Sequence, residues 1–296
     1  MKEAQKQDFL SSLKSMEIEN FLDRVFYRPI GYRIAVLLRG TGVTPNVITI
    51  ISIFFGVGAG LLFYPTDIWI NVIGILLLII ANILDCVDGQ LARLTGIKSV
   101  VGRVLDGVAG DLWFVSIYIC LALRITPELG SGLAWTLAAL AGASNLIQAN
   151  ITDYYKTLHL YFISLKKGAE FETVEKVREK HQSMKYGINK AMYLFYVYYT
   201  ILQTKVTPQL QKLLARLKAK YGEDFPEEVR MRLRKKNLEV LPFINITTFN
   251  GRSVVMIISL LIGMPWIYLV FEVVVLNIII FYAIIKHENI CKKFEV

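Results

Sequence analysis

The sequence has few charged residues for its length. Only 19% of its 296 residues are charged, whereas 54% are hydrophobic. Typical soluble domains carry about 25% charged residues. The apolar residues also stand in long uninterrupted runs, which are typical of membrane spans. This composition excludes an ordinary soluble domain and predicts an integral membrane protein.

Cysteine and histidine are equally scarce. The three cysteines are Cys86, Cys120 and Cys291, and the three histidines are His159, His181 and His287. The cysteines show neither a metal-ligand spacing nor a disulfide framework, and the histidines are scattered. We therefore expect no disulfides, no zinc site and no histidine-based catalysis. The first twenty residues also lack the apolar core of a signal peptide, so we expect no secretory cleavage.

Positive charge is in excess, with a net charge of +9. In a soluble protein this excess would suggest nucleic acid as a partner. Beside apolar runs it is better explained by lysine and arginine in cytoplasmic loops that face anionic lipid headgroups. We therefore expect membrane lipids, and no nucleic acid, as partners.

The apolar runs predict an all-α membrane protein with six spans. A mixed basic and apolar stretch, Phe21–Leu38, precedes them and suits a helix on the membrane surface. The last apolar run, Ser253–Ile285, is too long for one span and is expected to turn near Gly263-Met264-Pro265. The six predicted spans are Val47–Tyr64, Ile68–Leu84, Val104–Leu123, Leu133–Thr152, and one on each side of that turn.

Charge supports this count and divides the chain into four regions. With the N-terminus in the cytoplasm, the positive residues fall almost entirely on the inner side. A basic, helical, amphipathic insertion lies between spans four and five. Its apolar island, Ala191–Gln203, is short for a span and is expected to lie at the interface. The regions are an N-terminal segment (1–42), a catalytic core (43–156), the insertion (157–250), and the final spans with their tail (251–296).

Four aspartates cluster where the second and third spans meet. They are Asp85, Asp88, Asp106 and Asp111. Asp85 and Asp88 are three residues apart and share a helix face. Carboxylates crowded at a bilayer edge repel one another unless a cation separates them, and Mg²⁺ prefers such oxygen ligands together with substrate phosphates. The pattern predicts a metal and diphosphate site, against the alternative of charges that anchor a helical hairpin.

These residues also resemble a known family. The pattern Asp85-x-x-Asp88-Gly89-x-x-Ala92-Arg93, followed after eight residues by Gly102-x-x-x-Asp106, is similar to the signature of the CDP-alcohol phosphotransferases. Thr44-Pro45-Asn46 also looks like the start of the family's first span. The resemblance covers about residues 43–155 well and the final spans loosely. It does not explain the basic insertion.

The resemblance implies a mechanism. The donor would be a CDP-alcohol whose CMP leaves when an acceptor hydroxyl attacks the phosphorus next to the donor alcohol. Mg²⁺ or Mn²⁺ would neutralise charge on the diphosphate. The family is commonly homodimeric, and its active site faces the cytoplasm, as at a bacterial inner membrane. By the resemblance, Asp85, Asp88, Asp106 and Asp111 would bind metal, Asp111 would also be the catalytic base, and Asp85, Gly89, Ala92, Arg93 and Gly102 would hold the CDP group.

One position departs from the family pattern. The family places its last aspartate four residues after the third, where this chain has Gly110, and the acid follows at Asp111. One extra residue turns a side chain by about 100° on a regular helix. We hypothesise that a π-bulge, of the kind found at functional sites, returns Asp111 to the site. The alternatives are a base supplied from elsewhere and an inactive relative.

The acceptor is less defined. Four polar residues follow helical spacing on the fourth predicted span, and they either line the acceptor pocket or join helices by hydrogen bonds. We favour phosphatidyl transfer from CDP-diacylglycerol to inositol or inositol phosphate, in phospholipid biosynthesis. A CDP-ethanolamine or CDP-choline type of reaction remains an alternative. The four residues are Asn145, Gln148, Thr152 and Tyr155.

Two other classes compete with the transferase. A metal or solute transporter would also contain acidic residues, but would place them near the middle of several spans. Here the acids cluster at one edge, and Glu272 is the exception. A binding protein without turnover would explain the displaced Asp111.

Overall fold

The structure is a computed structural model that describes residues 3–97, 100–164, 171–184, 187–222 and 225–296. Within these residues all regular structure is helical, which confirms the predicted all-α class. The helices are α1 Glu3–Ser11, α2 Arg28–Leu38, α3 Pro45–Leu62, α4 Ile68–Thr95, α5 Val100–Leu129, α6 Ser131–Ile163, α7 Val174–Ser183, α8 Ile188–Val206, α9 Pro208–Tyr221, α10 Glu227–Asn237, α11 Leu241–Ile246, α12 Phe249–Leu261, α13 Trp266–Val270 and α14 Leu276–Lys293.

Four helices in the described residues are long and apolar enough to cross a membrane, where the sequence predicts six spans. They are Pro45–Leu62, Ile68–Thr95, Gly107–Leu129 and Trp266–Lys293. α6 has 33 residues but carries amides and hydroxyls that lower its apolarity. α12 is apolar but has only 13 residues, or about 20 Å, against a hydrocarbon core of about 30 Å.

The predicted turn in the last apolar run is confirmed. α12 ends at Leu261, and Gly263 adopts a left-handed conformation (φ 75°) that a side chain would strain. Pro265 then caps the next helix. α12 begins at Phe249, before Arg252 and thus before the predicted apolar run. Even with this earlier start, it has only 13 residues and is short for a membrane span.

The described residues form two compact units. The first consists of Met1–Leu146 and Phe249–Leu276, and the second of Ile147–Thr248 and Asn277–Val296. The predicted aspartate site falls in the first unit. Most of the basic insertion falls in the second.

Glycines let α3 approach its neighbours in the first unit. A Cβ at Gly56 would collide with the Trp113 ring, and one at Gly60 would collide with Ser116, both on α5. These contacts confirm that the glycines of the first span serve close helix packing. The Asp67 carboxylate begins the next span, where it accepts hydrogen bonds from the backbone N–H of Trp69 and Ile70.

The second unit buries the apolar faces of its amphipathic helices. The basic part of this unit includes α9 and α10. On α9, Leu210, Leu213 and Leu217 are fully buried, and they pack with residues of α6 and α14. On each of α9 and α10, the basic side chains occupy other, more exposed positions than the buried ones, as amphipathic spacing requires.

Candidate active site

α4 places two of the predicted metal ligands on one face near its C-terminus. Asp88 is 3% exposed, and its Oδ2 accepts a hydrogen bond of 2.5 Å from the Thr49 hydroxyl on α3. Asp85 lies one turn earlier and is half-buried. The short bond holds the Asp88 carboxylate in one orientation, as outer hydrogen bonds do for metal ligands. Thr49 was not predicted, because its contact with Asp88 joins two helices.

The remaining predicted ligands lie on α5. The backbones of Gly102 and Asp106 are helical, but the side chain of Asp106 lies outside the described residues, as does that of Arg103. Lys98 lies outside them entirely. A Cβ at Gly107 or Gly110 would meet nothing within 4 Å among the described atoms, so this part of α5 borders open space.

Asp111 follows on the same helix, which is α-helical without interruption from Val100 to Leu129. The hypothesised π-bulge is therefore wrong. The π-helical turns that the structure describes lie instead at Asp23–Tyr27 and Phe271–Val275. Without a bulge, Asp111 points about 100° away from the position of Gly110. It is half-buried and has no hydrogen-bond or ion-pair partner among the described residues.

The N-terminal segment contacts the motif, which the sequence did not predict. Gln90 Nε2 donates to the Ser12 hydroxyl at 3.1 Å and to the Arg28 carbonyl at 3.2 Å. Arg93 Nε donates to the Ser12 carbonyl, and its guanidinium lies beside Gly89, where a Cβ would stand 3.1 Å from Nη2. Arg93 therefore has backbone contacts in addition to any contact with a diphosphate.

The residues present fit a hard divalent cation. Asp85 and Asp88 offer carboxylate oxygens from one face of α4, and such oxygens are the ligands of Mg²⁺ and Mn²⁺. Asp88 is buried, and its carboxylate is oriented by the hydrogen bond from Thr49, as metal ligands commonly are. Open space beside Gly107 and Gly110 leaves room for a substrate at the start of α5.

The four residues predicted to bind the acceptor all contact other helices. Asn145 Oδ1 accepts from Arg252, and Gln148 Nε2 donates to Asn277 at 3.0 Å. The hydroxyls of Thr152 and Thr247 are 2.7 Å apart, and Tyr155 packs against His287. These contacts match the alternative of hydrogen bonds and packing between helices. The acceptor role of the four residues stays a prediction.

A buried ion pair is a second feature that the sequence did not predict. Arg252 Nη1 donates to Glu272 Oε1 at 2.9 Å, and the side chains are 2% and 0% exposed. The guanidinium also stacks over Phe114, 5.4 Å from its ring centroid. Glu272, the one charge in the last apolar run, is therefore neutralised inside the first unit.

Comparison with known proteins supports this interpretation of the motif. A family model described as CDP-alcohol phosphatidyltransferase matches residues 42–202, more than half of the chain. No curated protein matches the chain. The match includes all four aspartates and extends into the basic insertion.

Proposed function

The chain belongs to the CDP-alcohol phosphatidyltransferase family, and from this we propose that it transfers phosphatidyl from CDP-diacylglycerol to a small alcohol and releases CMP. The family itself implies a membrane transferase that moves a phospho-alcohol from a CDP-alcohol. Inositol or inositol phosphate is the acceptor that we propose, and phospholipid biosynthesis is the pathway. The observation that carries the proposal is the full signature from Asp85 to Asp106 on α4 and α5.

We assign the carboxylates of Asp85, Asp88 and Asp106, joined by Asp111, to one or two Mg²⁺ or Mn²⁺ ions. The metal supplies positive charge to the diphosphate and to the leaving CMP. Thr49 orients Asp88 through its hydroxyl hydrogen bond. Gly89, Ala92 and Gly102 offer small side chains beside which the CDP group fits, and Arg93 offers N–H donors for phosphate oxygens.

The transfer step exchanges a phosphoanhydride bond of the donor for a new phosphoester bond to the acceptor. The acceptor hydroxyl oxygen attacks the phosphorus that carries the lipid alcohol, and the bond from that phosphorus to the CMP oxygen breaks. The hydroxyl proton passes to the Asp111 carboxylate, the proposed general base. CMP leaves with the electron pair of the broken bond.

We place the active site at the cytoplasmic face of a bacterial inner membrane or its equivalent, and we expect a homodimer. The basic helices α9 and α10 would rest on anionic lipid headgroups. Deletion of residues 157–250 should weaken membrane association or activity. If both survived the deletion, this role of the insertion would be wrong.

An inactive relative is the second candidate, because α5 has no bulge to bring Asp111 to the family's position. Such a protein would bind CDP-alcohol and metal without turnover. A reaction in which CDP carries ethanolamine or choline is the third.

The deciding experiment measures CMP release by detergent-purified protein with Mg²⁺ or Mn²⁺. CDP-diacylglycerol is offered with inositol, inositol phosphate, glycerol phosphate, serine or no acceptor. We expect metal-dependent release with inositol or inositol phosphate, and loss of release in Asp106→Asn. Glu128→Gln, an exposed acid at the far end of α5, is the matched control. Donor binding without release under any acceptor would favour the inactive relative. A second assay offers CDP-ethanolamine or CDP-choline with diacylglycerol, and release in that assay alone would favour the third candidate.

A relocation variant tests Asp111 itself. Asp111→Asn should reduce the rate by about 100-fold or more, the usual contribution of a general base. Moving the carboxylate to the family's position, with Gly110→Asp and Asp111→Gly together, should recover at least about tenfold of that loss. The added side chain at position 110 has open space. An unchanged rate in Asp111→Asn would remove Asp111 as the base.

A further inference from the structure

The last helix carries three potential metal ligands that the proposed transfer does not use. His287, Glu288 and Cys291 each offer a ligand atom, and these atoms all lie within 4.8 Å of one another. His287 and Cys291 are both 2% exposed. They are four residues apart and so share a helix face, while Glu288 follows His287 at the edge of that face. The cluster lies in the second unit, whereas the aspartates lie in the first.

The separation of the Cys291 and His287 ligand atoms suits a tetrahedral ion. Cys291 Sγ lies 3.6 Å from Nδ1 and 3.8 Å from Nε2 of His287. An ion bound at about 2.0 Å to imidazole nitrogen and about 2.3 Å to thiolate sulfur holds those atoms about 3.5 Å apart. A hydrogen bond between the Cys291 thiol and the His287 imidazole would give a similar distance. The third group, Glu288, therefore distinguishes metal binding from such a hydrogen bond.

Among the described residues, no lysine, arginine or histidine forms an ion pair with the Glu288 carboxylate. Its Oε2 accepts from the Gln209 backbone N–H at 2.6 Å, and its Oε1 accepts from that of Leu210 at 3.2 Å, at the start of α9. Each oxygen keeps a lone pair for a metal, and the two bonds fix the orientation of the carboxylate. A divalent ion with this carboxylate and a Cys291 thiolate makes a neutral centre, which removes the cost of an unbalanced buried charge.

Tyr155 provides an independent sign that a ligand belongs here. Its ring packs edge-on against the His287 imidazole, with centroids 4.8 Å apart. The residue is 0% exposed, and its hydroxyl has no hydrogen-bond partner among the described residues. A buried hydroxyl without a partner is unfavourable. Water bound to an ion is one partner that would satisfy such a hydroxyl.

We propose that His287, Glu288 and Cys291 bind a transition-metal ion of the Zn²⁺ class that fastens α14 to α6 and α9 within the second unit. Imidazole and thiolate select such an ion over Mg²⁺ or Mn²⁺, which prefer oxygen. This proposal departs from our sequence-based expectation of no zinc site. The signal was present as His287-Glu288-x-x-Cys291, but it combines three ligand types rather than repeating one.

Cobalt is the probe that separates this centre from the aspartates. The protein, purified in detergent with a phosphine reductant, is stripped with a chelator and titrated with Co²⁺. One equivalent should produce a near-ultraviolet thiolate-to-cobalt charge-transfer band, and Zn²⁺ should abolish it. Co²⁺ on aspartates gives no such band, so the result does not depend on the transferase reaction.

Variants assign the band to its ligands. Cys291→Ser should abolish it, and Glu288→Gln should weaken Co²⁺ binding at least about tenfold. Cys120→Ser, a buried cysteine outside the cluster, should keep the wild-type band. Elution from a sizing column at the wild-type volume checks that each variant is folded. The proposal is overturned if the wild-type protein shows no band, or if the band survives in folded Cys291→Ser.

Discussion

Two apolar helical segments of equal length carry different chemistry. Ile68–Thr95 and Trp266–Lys293 each have 28 residues and meet the same criteria for a membrane span. The first has its acids, Asp85 and Asp88, near its C-terminus, where Asp88 accepts a hydrogen bond from the Thr49 hydroxyl. The second has Glu272 paired with Arg252 near its start, and Glu288 beside nitrogen and sulfur ligands near its end. Equal apolarity therefore predicts a span, but the partners of each acid decide its role.

The comparison predicts the largest effect for the buried acid of the first segment. Asp88→Asn should lower CMP release by at least about 1,000-fold, because it removes a proposed metal ligand and its charge. The measurement is the initial rate with saturating donor and Mg²⁺. Asp67→Asn, at the other end of α4, is the matched control, since asparagine keeps the cap. Equal rates in both variants would contradict the proposed site.

The acid at the start of the second segment should matter for stability. Arg252→Leu leaves Glu272 buried without its cation and should cost about 3–5 kcal/mol of unfolding free energy. The double variant Arg252→Leu, Glu272→Leu should be less destabilised than the single one, because it leaves no lone buried charge. Unfolding in detergent followed by tryptophan fluorescence gives both values. A double variant less stable than the single would contradict this account.

Thr49 tests whether orientation of Asp88 matters. Thr49→Val keeps the shape of the side chain but removes its hydroxyl, and should reduce CMP release by about 10–100-fold. Thr49→Ser keeps the hydroxyl and should stay close to the wild-type rate. If the serine variant were as slow as the valine variant, packing would be responsible and the hydrogen bond would not.

In the absence of metal, substitution of Glu288 should change the free energy of unfolding by less than substitution of Arg252. Glu288→Ala removes the acceptor for two backbone N–H groups at the start of α9 and should cost about 1–2 kcal/mol. Glu288→Gln keeps an acceptor and should recover part of that loss. Unfolding is measured with a chelator present, so that bound metal contributes nothing. Identical stability of the alanine variant and the wild-type protein would show that these two hydrogen bonds do not contribute to stability.

The smallest effect is expected at the start of the first segment. Asp67→Ala removes an N-cap and should cost about 1 kcal/mol, with no change in the rate of CMP release. Asp67→Ser should restore most of the stability. A loss of activity in folded Asp67→Ala would show that the cap affects the distant acids.

Much of the fold followed from local patterns. The helical class, the starts of α3 and α4, and the turn at Gly263 were predicted, because each depends on apolar runs or on a few adjacent residues. The fourth and fifth predicted spans are not confirmed, because polar side chains lower the apolarity of α6 and α12 has only 13 residues. The hypothesised bulge at Asp111 was wrong because spacing within a family motif does not fix the local helical geometry.

The sequence by itself determined the membrane character, the family signature, and the placement of Asp85 and Asp88 on one helix face. Those properties follow from composition and from the period of a single helix. Only the tertiary structure decided that Thr49 holds Asp88, that Ser12 contacts Arg93, that Arg252 neutralises Glu272, and that Tyr155 covers His287. Each of these contacts joins residues that are distant in the sequence, and the way separate elements pack depends on all of their side chains together.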